Sequence, residues 1–373
     1  MKIATFNIQN LFHRDKGLSE KTYGKCMSNW ITELDDLMSG KTYAGSRIDR
    51  IQELAFLLGF DKTFQIPYAV MRRRAGFLFL KGMNYSKEMK ADELTDWNGW
   101  VSIQTLPLDP IAIQNKARVI AEINPDILLL QEIEDRASLE EFNAQLLPEF
   151  ACQPFQELTV LQSSDKRGLE IGSMLKNGYR VKSVRSHHFD VADSSNLIKE
   201  FLQYEIQTQS KQSICLLAVQ LQEDGKEKDI SDTLRKKQAQ QIANIYQQLL
   251  EEGQGNIIVA GTLNAVSYCD SLSPLLRDTD LRDVTKHPSF KVDFDQGKDA
   301  TYFRLGAYQK GVNIKQKDYL LLSPKLFSKV KNSGLNRKAV WPLKQPMWSV
   351  YSSIDSKIKA GSEHPAVWAE IRL

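Results

Sequence analysis

Short apolar runs that end in polar residues recur along this chain. In NIIVAGTLNAV, Asn256 to Val266, an apolar run stops at Gly261, and Thr262 and Asn264 follow it. An unbroken apolar run bounded by glycine is typical of a buried strand. The pattern therefore predicts a strand whose end delivers polar side chains to the edge of a sheet. For this stretch alone, an ordinary strand followed by a turn is the alternative.

Four other stretches have the same design. They are ATFNI, DILLLQEI, KDYLLLSP and SEHPAVWAEI, and each is a β-type run with polar residues at one end. A single polar residue at a strand end is more often a surface or capping group. The recurrence is what predicts a site. The polar residues at these predicted strand ends are Asn7, Glu132, Asn264, Asp318, Glu363 and His364.

Helical spacing of apolar residues separates these strands. Residues 46–58, 111–123 and about 234–250 each place apolar side chains on one face, and Asn124-Pro125 ends the second of these helices. EFLQYEIQ and SICLLAVQL read as further strands. In SSDKRGLEIGSMLKNGYRV, the dipeptide Asn177-Gly178 predicts the turn of a β-hairpin.

No feature of the composition indicates a boundary between domains. It has 373 residues, 42% of them hydrophobic and 25% charged, with no fixed repeat and no glycine- or proline-rich linker. We expect one domain over residues 1–373, with an elaborated segment at about 13–110. A stretch of that length is long for a connection, and long excursions are typical of lids or binding elements.

The net charge is too small to indicate a partner. It is +3, with a pI of about 8.4, whereas a DNA-binding surface normally shows basic clusters. The tight arginine cluster, Arg72 to Arg74, is more often a solvated face than a phosphate-binding track.

The four cysteines are scattered singly, without the spacing of a zinc site or a disulfide framework. Cys215, within ICLLAV, is predicted to be a buried free thiol. No run approaches the roughly 18 apolar residues of a membrane span, and MKIATFNI has no signal-peptide pattern. We expect a cytoplasmic protein.

The polar residues at the strand ends indicate a type of chemistry. Carboxylates and amides without cysteine suit a hard cation such as magnesium, which takes one or two carboxylates plus substrate phosphate. A histidine beside an acid, as in Glu363-His364, suits phosphate or proton handling. The residue types therefore predict metal-assisted phosphoester chemistry.

The order of the motifs resembles the endonuclease/exonuclease/phosphatase superfamily, which has the DNase-I-like fold, over essentially the whole chain. ATFNIQNLF is similar to its first strand with an Asn, and DILLLQEIEDR to its strand ending in Gln-Glu. DKRGLEIGSML is similar to its Arg-Gly segment, and RKKQAQQIANIYQQLL to the helix before its Gly-Asp-x-Asn strand. KDYLLLSP resembles the Asp-Tyr strand and SEHPAVWAEI the closing Ser-Asp-His strand. DWNGWVS and FNAQLL also resemble a bacterial branch of the superfamily.

This resemblance implies an α/β (α+β) fold, a four-layer α/β sandwich. Two mixed, mostly antiparallel sheets pack face to face with helices outside, and the site lies at one edge. It also implies attack by water on a metal-bound phosphate, with the Asp of Gly-Asp-x-Asn as the base and histidines stabilising the transition-state charge. The roles it implies are substrate phosphate contacts for Asn7 and Arg167, magnesium or manganese ligands for Glu132 and Glu363, and catalysis for Asn264, Asp318 and His364.

Three positions depart from the family pattern. Gly-Asp-x-Asn reads Gly-Thr-Leu-Asn here, so Thr262 occupies the position of the base. Threonine does not accept a proton at neutral pH, so the base contribution of about 10²- to 10⁴-fold is lost or supplied elsewhere. Gln220 occupies the position of a histidine and cannot carry a proton. Glu363 replaces an aspartate and moves the charge by one methylene, about 1.5 Å.

Three functions remain open. The first is a metal-dependent phosphodiesterase, nuclease or phosphatase that uses another base, such as Glu363, Asp318 or a substrate phosphate oxygen. The second is a catalytically inactive relative that binds phosphate esters or nucleic acid. A purely structural scaffold is the least favoured, because five motif residues are retained and the replaced positions are those of proton transfer. The superfamily acts on DNA, RNA, inositol phosphates, sphingolipids and small phosphodiesters, and the net charge favours none of them.

Overall fold

A computed structural model of the chain describes residues 1–12, 25–38, 45–58, 69–73, 78–79, 99–103, 108–134, 136–161, 169–190, 200–225, 227–291, 316–342 and 348–373. The chain divides into two compact units. The first unit comprises Met1–Gln9, Asp109–Ile133 and Leu139–Leu373, and the second unit comprises Asn10–Leu108 and Glu134–Ser138. The second unit thus contains most of the segment that the sequence marks as elaborated.

The elements follow the apolar patterns of the sequence. In chain order the strands are β1 (Lys2–Asn7), β2 (Ala69–Arg73), β3 (Leu78–Phe79), β4 (Gly99–Ile103), β5 (Ile127–Ile133), β6 (Glu157–Leu161), β7 (Glu170–Leu175), β8 (Arg180–His188), β9 (Glu200–Gln207), β10 (Ser213–Gln220), β11 (Ile257–Thr262), β12 (Arg282–Asp283), β13 (Phe290–Lys291), β14 (Asp318–Leu322), β15 (Val330–Asn336) and β16 (Ala366–Ile371). The helices are α1 (Lys25–Met38), α2 (Gly45–Leu57), α3 (Pro110–Ile123), α4 (Arg136–Glu141), α5 (Leu147–Glu149), α6 (Lys228–Glu251), α7 (Ser273–Leu276) and α8 (Pro324–Phe327), with a π-helical turn at Phe142–Leu146 and 3₁₀ turns at Asp270–Leu272, Val284–Lys286 and Lys357–Lys359.

Two mixed sheets form the first unit. One has the strand order β13-β15-β16-β1-β5-β7-β6, and the other has the order β12-β14-β11-β10-β9-β8. Among the described strand pairs of these sheets, β1 with β5, β10 with β11 and β13 with β15 are parallel, and the others are antiparallel. The predicted pair of mixed, mostly antiparallel sheets is confirmed.

The sheets pack face to face because each presents an apolar face to the other. One hydrophobic cluster joins the inner side chains of β1, β5 and β16 to those of β9, β10, β11 and β14. A second cluster joins the outer face of the six-stranded sheet to helix α6, through side chains such as Ile242 and Tyr246. Helix α3 contacts strand β16 of the seven-stranded sheet. Helices therefore cover the sandwich from outside, as expected.

Helix α3 shows how the sequence sets the ends of an element. Asp109 caps its first turn by accepting a hydrogen bond from the Ile111 N–H at 2.8 Å, and Pro110 is its first residue. At the other end Asn124 adopts the left-handed conformation with φ 49°, which asparagine tolerates. The predicted stop at Asn124 is confirmed. Helix α6 begins earlier than predicted, at Lys228, because its first turns are polar and carry little apolar signal.

The prediction of a β-hairpin at Asn177-Gly178 is wrong. Both residues have positive φ, 56° and 77°, so a tight turn is present. However, strand β7 before the turn already has β5 and β6 on its two edges, and strand β8 after the turn pairs with β9 in the other sheet. The turn therefore carries the chain from one sheet to the other.

The second unit contains helices α1 and α2 and the antiparallel sheet β3-β2-β4. Helix α2 buries Ile51, Leu54 and Ala55 on one face, which agrees with the predicted spacing. Arg50 on α2 forms salt bridges with Glu33 and Glu53, each at 2.7 Å. The helix pair is thus held by an apolar face and by an ion pair between α1 and α2.

Within the described ranges, none of the helices has the length and apolar character that crossing a membrane requires. Cys215 lies in β10, is buried, and has a free thiol, as predicted. Burial raises the pKa of this thiol to about 12, so it stays protonated at neutral pH.

Candidate active site

The ends of five strands of the first unit meet at one edge of the sandwich. In the seven-stranded sheet, Asn7 pairs in register with Gln131, and Glu132 follows. In the six-stranded sheet, Thr262 pairs with Gln220 on one side and with Asp318 on the other. Because these registers are set by the apolar runs inside each strand, the polar residues that end the runs come to the same edge.

Gly261 sets the geometry of the strand just before the site. Its φ is 140°, and a Cβ atom there would lie 1.8 Å from the carbonyl oxygen of Val219 on β10. An L-amino acid with a side chain does not fit this conformation or this distance. The glycine of GTLN is therefore required by the close approach of β10 and β11.

Asn7, Glu132 and Gln220 form a hydrogen-bonded group across the two sheets. The amides Asn7 Nδ2 and Gln220 Nε2 each donate to Glu132 Oε1 at 2.8 Å. Asn7 and Gln220 are buried, and Glu132 is partly buried. Two amide donors stabilise the charged form of the carboxylate and fix its position.

Thr262 and Asp318 extend this group within the six-stranded sheet. The Thr262 hydroxyl donates to Asp318 Oδ1 at 2.8 Å and lies 3.2 Å from Asn7 Nδ2, which donates to it. Asp318 also accepts from His364 Nδ1, which lies 2.9 Å from both carboxylate oxygens. A continuous chain of hydrogen bonds therefore runs from Glu132 to His364.

The pKa of His364 is raised by its neighbours. Burial, the largest single effect, lowers it, but the charge of Asp318, the hydrogen bond to Asp318 and the charge of Glu132 together outweigh burial. The net direction is upward, so the imidazolium persists to higher pH than in an isolated histidine. A protonated imidazole at this position can donate to an anionic oxygen.

The backbone around the site contains an unusual number of left-handed residues. Gln9, Glu132 and Asn264 have positive φ values of 49°, 60° and 54°. Glu132 lies where the pairing of β5 with β7 is irregular, between Leu130 and Ile133. Such conformations cost free energy and concentrate at functional sites, so they agree with a site at this edge.

Some of the predicted site residues do not join the hydrogen-bonded chain. The Glu363 carboxylate is exposed and forms a salt bridge with Lys357 Nζ at 2.8 Å. The hydrogen bond to Lys357 is the main cause that lowers the pKa of Glu363. Asn264 lies beside the group and donates its side-chain amide to the Leu221 carbonyl at 2.8 Å. Arg167 is outside the described residues.

The carboxylate and amide oxygens of this group are of the chemical type that binds a hard cation such as magnesium. Within the described ranges, no three or more His, Cys, Asp and Glu side chains cluster as a ready metal site. Magnesium keeps several waters and takes as few as one protein carboxylate together with substrate phosphate. Glu132, fixed by two amides, can provide that carboxylate, and oxygen ligands of this kind also suit manganese.

Three residues that hold the site were not identified from the sequence. Gln9 and Ser362 hydrogen-bond the segments that carry Asn7 and His364, and Lys116 on α3 donates to backbone carbonyls of the same region. Gln9 stands out only as one of several amides after β1. Lys116 had a detectable signal, because it lies on the apolar face of α3 with Ala112 and Ile120.

Comparison with known proteins gives structural neighbours only. No protein-family model matches the chain, and no curated protein sequence matches it. Truncated TDP2 of Caenorhabditis elegans aligns with 69% of this chain and 90% of its own, at 17% identity and a TM-score of 0.46. An endonuclease/exonuclease/phosphatase family protein of Bacteroides thetaiotaomicron aligns with 68% of this chain and 85% of its own, at 13% identity and a TM-score of 0.46.

A third structural neighbour is an endonuclease/exonuclease/phosphatase family protein of Leptotrichia buccalis, which aligns with 70% of this chain and 93% of its own, at 17% identity and a TM-score of 0.45. Two of these three proteins carry the name of the superfamily that the ordered sequence motifs resemble.

Proposed function

We propose that this chain is a divalent-metal-dependent hydrolase of phosphoester bonds with altered catalysis, in which Glu132 binds magnesium or manganese. The observation that carries the proposal is the continuous hydrogen-bonded chain Glu132–Asn7–Thr262–Asp318–His364 at the edge of both sheets. It brings a fixed carboxylate and a carboxylate–imidazole pair into one connected group. These are the parts that phosphoester hydrolysis needs.

The acid side of the reaction has a suitable group. His364 Nδ1 is occupied by Asp318, which leaves Nε2 for the substrate. Because the pKa of His364 is raised, the ring can donate a proton or a hydrogen bond to the leaving-group oxygen near neutral pH. A bound divalent cation would neutralise negative charge on the phosphate.

A group that could act as the general base is less well provided. The Thr262 hydroxyl does not accept a proton at neutral pH and already donates to Asp318. Asp318 shares its oxygens between Thr262 and His364, and Lys357 holds the Glu363 carboxylate. We therefore expect turnover slower, by up to the general-base contribution of about 10²- to 10⁴-fold, than with a carboxylate in the position of Thr262.

A second candidate function is a binding module for phosphate esters or nucleic acid that has no turnover. Thr262 in place of the base favours it. The two amide hydrogen bonds to the same oxygen of Glu132 also favour it, because they compete with a metal for that oxygen.

A magnesium titration tests the metal site. If Glu132 binds magnesium, the melting temperature of the wild type rises with metal, since a ligand that binds only the folded state stabilises it by about 2.7 kcal/mol at a hundred times its Kd. Glu132→Gln should abolish the rise. Glu157→Gln is the matched control, because the Glu157 carboxylate also accepts an N–H hydrogen bond, from Val181 at 2.9 Å, but on the edge strand β6. A melting temperature of the wild type that does not change with magnesium or manganese contradicts the proposal.

An activity assay separates the two candidate functions. With magnesium and bis(p-nitrophenyl) phosphate, we expect slow but measurable release of nitrophenolate. Glu132→Gln and His364→Gln should each lower the rate by at least about 10²-fold. Metal-dependent stabilisation and phosphate binding without any turnover would support the binding module instead.

A further inference from the structure

Two irregular segments adjoin Asn7 and contain His364. One is the turn at residues 8 and 9, which follows Asn7 at the end of β1. The other is the segment at residues 359–364, which leads through His364 into β16. Each segment has a backbone hydrogen bond to a neighbouring part of the chain, from the Ile8 N–H to the Gln131 carbonyl at 3.0 Å and from the Gly361 N–H to the Ala339 carbonyl at 2.9 Å. The position of His364 also depends on the side-chain contacts that hold these segments.

Gln9 connects the two segments directly. Its side-chain oxygen Oε1 accepts the backbone N–H of Glu363 at 2.7 Å and lies 3.2 Å from the Ser362 hydroxyl. The backbone N–H of Gln9 donates to Asn7 Oδ1 at 3.2 Å. Gln9 therefore touches the residue before His364 on one side and the side chain of Asn7 on the other.

Ser362 strengthens this connection from the second segment. Its hydroxyl is buried and lies 2.8 Å from the carbonyl oxygen of Asn7, to which it donates. The Ser362 hydroxyl oxygen accepts the backbone N–H of His364 at 3.0 Å. The backbone of His364 is thus tied through one side chain to the end of β1.

Helix α3 contacts both segments through Asn115 and Lys116. The Lys116 side chain is 1% exposed, and its ammonium donates to the carbonyls of Ile8 at 2.8 Å and Gln9 at 3.1 Å. Asn115 donates to the carbonyl of Lys359 at 2.9 Å. A Cβ atom at Gly361 would lie 3.2 Å from the backbone nitrogen of Lys116, so the second segment lies directly against the helix.

We propose that Gln9 and Lys116 are positioning residues, which set the His364 imidazole and the Asn7 amide relative to each other. This inference rests on the proposed hydrolase function. Neither residue acts on the substrate. Burying an ammonium group is costly, and here its hydrogen bonds go to the backbone of a turn in left-handed conformation. A misplacement of about 1 Å in a catalytic group costs up to about 10²-fold in rate, so loss of either residue should appear in kcat.

The first test is kinetic. Two variants are tested, Gln9→Ala and Lys116→Met; methionine keeps most of the apolar stem of the lysine side chain. Each variant should lower kcat by about 10-fold or more while KM stays within about twofold. Gln9→Glu retains oxygens that can accept the Glu363 N–H and should restore most of the loss. Gln156→Ala is the matched control, because Gln156 Oε1 also accepts a backbone N–H, from Asn177 at 3.0 Å, at the β7–β8 turn. Unchanged kcat in Gln9→Ala overturns the proposal, and so does an equal loss in Gln156→Ala.

The second test does not need activity. Amide hydrogen exchange in Gln9→Ala should become at least about fivefold faster at Glu363 and His364, the change expected from losing one hydrogen bond, and should stay unchanged within β5. Exchange at Glu363 that equals that of the wild type overturns the proposal, even if Lys116→Met does not fold. A wild type without turnover would contradict the proposed function alone, since faster exchange in the variant would still support the holding contacts.

Discussion

At the scale of single residues, the proposed function depends most on Thr262. Its hydroxyl donates its one proton to Asp318 and accepts a hydrogen bond from Asn7. A carboxylate in its place would lie within hydrogen-bond distance of Asp318, and two carboxylates that share a site raise the pKa of one of them. Compared with a carboxylate at this position, threonine supplies no base but avoids this repulsion, and its hydroxyl joins the hydrogen-bonded group.

Replacing Thr262 tests this interpretation. We expect Thr262→Asp to raise magnesium-dependent turnover of bis(p-nitrophenyl) phosphate by up to about 10²-fold, because it supplies the missing base. Thr262→Asn is the control and should give no gain, because asparagine has nearly the shape of aspartate but no basic group. A wild type that is faster than Thr262→Asp would show that Thr262 does not occupy the position of a missing base.

At the scale of elements, strand β11 depends on the close approach that Gly261 permits. With a Cβ atom at 1.8 Å from the Val219 carbonyl oxygen, the parallel pairing of β10 and β11 would have to open beside Gln220 and Thr262. Backbone atoms cannot turn away as the end of a flexible side chain can. The site is therefore built on a strand pair that tolerates no side chain at this position.

A pair of glycine substitutions separates backbone strain from this clash. Gly261→Ala should lower the free energy of unfolding by more than about 3 kcal/mol, because it adds a steric clash to an unfavourable φ. Gly253→Ala has an unfavourable φ of 85° but nothing within 4 Å of a Cβ atom, so it should cost only about 1 kcal/mol. Urea unfolding followed by circular dichroism measures both. Equal losses in the two variants would show that β10 moves aside at little cost.

The elements also show what the sequence could and could not predict. Apolar runs predicted the strands that deliver Asn7, Glu132, Thr262 and Asp318, because strand ends are local properties and registers follow from the buried face. The path of the chain after Asn177-Gly178 was not predictable in this way, since it depends on which sheet edges are already occupied.

The side-chain contacts that support the site also escaped prediction. Lys357 holds the Glu363 carboxylate from a 3₁₀ turn, and no spacing rule relates the two residues. The contacts of Gln9 with Glu363 and of Lys116 with the turn after β1 join parts of the chain that are more than a hundred residues apart. Motif resemblance gives the residue types at a site, whereas the supporting contacts need the folded chain.

At the scale of the whole molecule, the site is a group of polar residues at the edge of the apolar contact between the two sheets of the first unit. Asn7 and Glu132 come from the seven-stranded sheet, and Gln220, Thr262 and Asp318 come from the six-stranded sheet. The hydrogen bonds between them therefore join the two sheets, and protonation within the site is linked to the stability of the sandwich.

This linkage predicts how stability depends on pH. The pKa of His364 is raised on folding, so the folded state holds its proton more tightly than the unfolded state does. The stabilisation is fully present below the unfolded pKa of about 6.5 and is lost as pH rises through the higher folded pKa. Urea unfolding across this window should show the free energy of unfolding falling with pH in the wild type, and a smaller fall in His364→Gln.

His287 provides the matched control for this experiment. Burial lowers the pKa of His287, so its contribution has the opposite sign and grows as pH rises through its folded pKa. His287→Gln should therefore remove a rise of stability below about pH 6.5 and leave the fall above that pH unchanged, whereas His364→Gln makes the fall above about pH 6.5 shallower. If both variants keep the pH dependence of the wild type, Asp318 does not hold a charged imidazole in the folded state, and His364 could not then serve as the acid in phosphoester hydrolysis.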